Sequence, residues 1–177
     1  DRIDLSRQVR LERAKARMSN KQLPEAYDDL LTLKDEVDAE SVTASPAFQT
    51  DLRKTIANAQ YFMTWLMRLE GEPREQWEPD IDAARQNYKL LADAARTSGD
   101  TQQAEQLEGD LEAAIRLARM DLSELQALAL PKQCQGCCSG NCKGKCKGKG
   151  RKPNPGQNKP EDARGASSGP PPDEKGS

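Results

Sequence analysis

The sequence predicts an all-α fold: about five amphipathic helices in antiparallel hairpins, forming a bundle or a short helical array, followed by a disordered C-terminal tail. Two observations carry this. Through the first 130 positions apolar residues recur at spacings of three, four and seven, the period of a helix with one buried face. From position 131 the composition turns abruptly to Gly, Lys, Pro, Ser and Asn, with no aliphatic or aromatic residue larger than Ala other than the cysteines. Such a stretch buries too little apolar surface to offset its conformational entropy. The chain therefore divides into a helical body (1–130), a Cys/Lys/Gly-rich segment (131–152) and a Pro/Gly-rich terminus (153–177).

The first helix is expected from Leu5 to about Asn20, with a weak stripe of Leu5, Val9, Leu11, Ala14 and Met18. After a three-residue link, short enough to force an antiparallel hairpin, Pro24 opens a second helix with Leu23, Ala26, Tyr27, Leu30, Leu31 and Val37 on one face. Ser45 and Pro46 supply an N-cap and first-turn proline for a third, striped by Phe48, Leu52, Ile56, Ala59, Met63 and Leu66. Its stretch from Tyr61 to Met67 is apolar nearly all round, which predicts a helix covered on more than one side and places the core there. Gly71, Pro73 and Pro79 interrupt the pattern before a fourth helix marked by Ile81, Ala84, Tyr88, Leu91 and Ala95. Asp100 or Thr101 can cap a fifth, whose seam of Ala104, Leu107, Leu111, Ala114, Ala118, Leu122 and Leu125 continues until Pro131.

Composition narrows the chemistry. Histidine is absent, which removes the commonest general base, Ser/His and Cys/His nucleophile pairs and every His-containing metal site. Residues 1–130 hold 17 basic side chains against 25 acidic ones, and residues 131–177 hold 10 against 4, so an acidic body carries a basic tail. The pairs Asp28/Asp29, Asp80/Asp82 and Glu108/Asp110/Glu112 are expected on exposed helix faces as solvated charge. No Gly-rich phosphate loop or nucleophile elbow occurs, and the chain is expected not to be an enzyme. The start, Asp1-Arg2-Ile3-Asp4, reads as a processed or excised portion of a longer protein.

The run from Leu23 to Leu31 (Leu-Pro-Glu-Ala-Tyr-Asp-Asp-Leu-Leu) resembles the start of the second helix of a tetratricopeptide-type repeat, with Ser19 as the small inter-helix residue. That resemblance covers about 35 residues and implies a protein-binding helical array. An ordinary helical hairpin carries the same pattern, and the 34-residue period is not kept downstream.

All five cysteines lie in the tail: Cys134, Cys137, Cys138, Cys142 and Cys146. With their flanking lysines, small neighbours and lack of aromatics they resemble a metallothionein segment, which implies thiolate binding of one or two soft ions such as zinc or copper. The loop that separates the two ligand pairs of an ordinary zinc finger is missing. Disulfide cross-linking in an oxidising, secreted or cell-envelope setting is the alternative, and the odd count leaves one thiol for another chain. A thiol oxidoreductase built on Cys134 and Cys137 lacks its βαβ context. Lys143, Lys145, Lys147, Lys149, Arg151 and Lys152 form a polybasic coil suited to an anionic polymer or membrane surface by counterion release. No aromatic accompanies them, so sequence-specific nucleic-acid reading is not expected. The expected partners are another protein or a second copy of the chain. The leading functional expectation is a scaffold or interaction module whose tail tethers or cross-links, with soft-metal binding as the alternative.

Overall fold

The computed structural model describes residues 2–39 and 44–134, and among these all regular structure is helical. Six α-helices follow in order: α1 (Arg2–Ser19), α2 (Leu23–Ala39), α3 (Pro46–Leu69), α4 (Arg74–Ser98), α5 (Thr101–Arg119) and α6 (Leu122–Ala127), then a 3₁₀ turn, Lys132–Cys134. Each of α1 to α4 packs on the next, α1 also touches α3, α6 returns onto α3, and the 3₁₀ turn lies against both α3 and α1. The all-α architecture is as expected. No helix among the described residues is long and apolar enough to cross a membrane.

Three hairpin turns close in the same way. One or two residues past each helix end the chain adopts the left-handed conformation, at Lys21 (φ 64°), Gly71 (φ 77°) and Gly99 (φ 82°). The next amide then reaches back to the last turn: Gln22 N to Arg17 O, Glu72 N to Met67 O and Asp100 N to Ala95 O, at 2.9–3.0 Å. Glycine takes this conformation without steric cost, whereas Lys21 carries a Cβ into it. The expected caps form at Ser45, which accepts from Phe48 N, and at Asp100, which accepts from Gln103 N.

The core is centred on α3, where Tyr61, Phe62, Trp65 and Leu66 are all buried and covered from several sides. Leu23, Ala26, Leu30 and Leu33 face it from α2, Trp77, Ile81, Ala84 and Tyr88 from α4, and Leu107, Ala114 and Leu117 from α5. The first helix departs from its expected stripe. Arg7, Leu11, Ala14 and Met18 are the buried set, while Leu5 and Val9 are 64% and 59% exposed. A second stripe, Leu5, Val9, Glu12 and Ala16, has the same four-three-four spacing and faces solvent.

Two boundaries also differ. Pro79 lies inside α4 rather than before it, in the second turn, where the missing N–H removes one backbone bond while buried Trp77 anchors the first turn. The expected fifth helix is two helices. Met120 leaves helical geometry (φ −57°, ψ 142°), and Asp121 starts α6 with a capping box: Glu124 N donates to Asp121 Oδ1 at 2.8 Å and Asp121 N to Glu124 Oε2 at 2.9 Å.

Candidate functional site

The break after α5 turns the chain back across the body. Arg68 on α3 is nearly buried and donates from its two terminal nitrogens to the Leu117 and Met120 carbonyls, the orphaned acceptors at the end of α5. Its guanidinium also lies 4.9 Å from the centre of the Trp77 ring. From there α6 presents Leu125, fully buried, to α3. Pro131 is buried as well, and Cys134 N donates to Pro131 O at 2.9 Å to close the final turn. We refer to residues 121–134 as the strap.

At its end, the Cys134 side chain is 0% exposed, with Sγ 3.5 Å from the carbonyl oxygen of Phe62. The first cysteine of the Cys-rich segment is therefore a core residue. For Cys134 to ligate a metal beside the other four, the 3₁₀ turn would have to leave the core. Cys137, Cys138, Cys142 and Cys146 lie outside the described residues, as do Lys143, Lys145, Lys147, Lys149, Arg151 and Lys152. Among the described residues no three His, Cys, Asp or Glu side chains are grouped to hold a metal ion.

A polar seam runs beneath the strap between α3, α4 and α5. The Tyr88 hydroxyl donates to Asn58 Oδ1 at 2.8 Å, and the Tyr61 ring meets Phe62 edge-on at 5.2 Å. Asp110 enters the seam from α5, only 2% exposed, with Oδ1 lacking a hydrogen-bond partner. Burial pushes its pKa up to about 8, against a weaker opposing pull from Lys54, so it holds its proton at neutral pH. Burial raises Tyr61 to about 12 and Tyr88 well above the usual phenol range. The Trp65 indole is buried nearby, and its hydrogen bonding to Tyr61 opposes part of the rise in that phenol's pKa.

Two carboxylates expected in solvent are thus inside. Asp110 is in the core face of α5, and Asp80, half-buried, accepts from the buried Tyr27 hydroxyl at 2.6 Å, with burial raising its pKa. Asp110 completes the buried spacing Leu107, Asp110, Ala114, Leu117, a signal present in the sequence. Arg68 gave no such signal beyond its place in an otherwise apolar run.

A groove of about 600 Å³ lies between α5 and α6. Ile115, Met120 and Leu128 form its apolar floor, and Glu112, Arg116, Arg119 and Glu124 its charged rim. In comparisons with family models, curated proteins and solved structures, nothing matches this chain.

Proposed function

We propose that this protein is a non-enzymatic interaction module: the helical body is the partner-binding scaffold, and the Cys-rich, polybasic segment tethers or cross-links it. The burial of Cys134 against Phe62 carries the reading. A tether needs a fixed origin, and here the strap joins the segment to the centre of the core rather than to a fraying helix end. The series of hairpins, the first with the tetratricopeptide-like run in α2, supports a partner-binding array. The tail's basic charge beside an acidic body supports contact with an anionic polymer or membrane surface, weakened by salt.

The test uses the full chain, incubated without reductant and measured by intact mass and non-reducing electrophoresis. Reducible multimers are expected for the wild type and for Cys134→Ser, and are expected to disappear when Cys137, Cys138, Cys142 and Cys146 are all changed to Ser. If native mass spectrometry instead finds zinc or copper retained through those four cysteines, with no reducible multimers, soft-metal binding replaces tethering.

A further inference from the structure

Among the described residues the exposed large apolar side chains are Ile3, Leu5 and Val9 on α1, Leu90 on α4 and Leu122 on α6. All but Leu90 lie on the first helix or on the short last one beside the α5–α6 groove. α1 packs on α2 and α3, and neither α5 nor α6 packs closely on α1, so the stripe and the groove are separate surfaces of the body.

We propose that the solvent-facing stripe of α1 seats in the α5–α6 groove of a second copy of this chain, so that copies join head to tail. The proposal rests on reading the body as an interaction module and names its partner. Leu5 and Val9 are one turn apart, the spacing with which an amphipathic helix fills an apolar groove. Ile115, Met120 and Leu128 provide the complementary floor.

Charge fits the same pairing. Glu12 within the stripe and Arg13 beside it are 60% and 56% exposed at their side chains, each in a surface ion pair of its own chain, with Lys15 and Asp29, of the weak kind that can exchange partners. The groove rim offers Arg116 and Arg119 to the acid, and Glu112 to the base. Each copy keeps one stripe and one groove free after pairing. The contact is heterologous, and growth is open-ended unless the rotation between copies closes a ring.

The experiment is sedimentation velocity of the full chain, kept in reductant so that tail disulfides do not contribute. Concentrations from about 10 µM to about 1 mM suit an interface at the small end of the size range. The wild type is expected to grow in mass beyond a dimer as concentration rises. Val9→Glu removes the stripe, and the double variant Arg116→Glu with Arg119→Glu reverses the rim. Both change exposed positions, and far-UV circular dichroism checks that each variant is folded.

Each variant alone is expected to stay monomeric, because it retains only one half of the contact. Mixed, they are expected to form one-to-one dimers that grow no further, since one live groove meets one live stripe. A wild type that remains monomeric to the top concentration overturns the proposal. So does a Val9→Glu chain that still assembles, or a mixture that stays monomeric. If multimers appear only without reductant, tethering through the tail stands and head-to-tail docking falls.

Discussion

Asp110 sits where a leucine would be expected, in the buried stripe of α5 and beside Tyr61 and Tyr88. Its pKa in the folded protein is about 8, against about 3.9 for an unfolded aspartate. Between those values the folded chain holds a proton that the unfolded chain has released. Stability therefore falls as pH rises from about 4 to about 8, and this contribution is flat above that window. The slope approaches about 1.4 kcal/mol per pH unit where no other group titrates, so the loss across the window is several kcal/mol. Asp110→Asn keeps the shape of the protonated side chain without its acidity. In urea unfolding at pH 5, 6.5 and 8, its stability relative to the wild type should rise with pH, by more than about 2 kcal/mol in total. Parallel curves for the two proteins would show that the buried carboxyl does not titrate in this range. The position of Asp110 was legible, because Leu107 and Ala114 bracket it at helical spacing. Its charge favoured the opposite face, and local charge says nothing about which neighbour will cover a side chain.

At the scale of elements, the three hairpin closures share one geometry and differ in one residue. Lys21 adopts a left-handed backbone that costs a non-glycine residue roughly 1–2 kcal/mol. Lys21→Gly is expected to raise stability by about 0.5–1 kcal/mol, because added freedom in the unfolded chain takes back part of the relief. Thermal melts of the two proteins check it, and a lower Tm for Lys21→Gly would mean that the lysine side chain contributes more than its backbone costs. Most helix positions were readable from apolar spacing and caps, including the Ser45 and Asp100 starts. The split between α5 and α6 was written in Asp121-Leu122-Ser123-Glu124, yet Leu122 and Leu125 continue the seam of α5 and conceal it. Only Leu125 is buried, while Leu122 is 43% exposed, because the chain changes direction between them. Leu5 and Val9 present the converse case. α1 has two apolar stripes, and only packing decides that the one led by Leu11 and Met18 faces the core.

For the whole molecule, the strap carries buried side chains past Leu130, at least as far as Cys134. A chain ending at Leu130 loses Pro131 and Cys134, both buried. Their burial is worth about 2–3 kcal/mol, which corresponds to a drop in Tm of roughly 10 °C, whereas a chain ending at Cys134 should melt within a few degrees of the full protein. Equal melting of both truncations would show that the last turn adds nothing to the fold. Composition alone could not place this boundary, since Lys132 and Gln133 look like the tail and the docking surface on α3 and α1 comes from far away in the chain. That distance bears on the order of assembly. The main helix pairs join neighbours and can form as each segment leaves the ribosome, but the Cys134 to Phe62 contact closes a separation of 72 residues. Docking of the strap is thus a late event, after α3 and α1 are in place. Until then the Cys134 thiol is open to oxidants, and afterwards it is withdrawn into the core, so the maturity of the body decides whether this thiol can react.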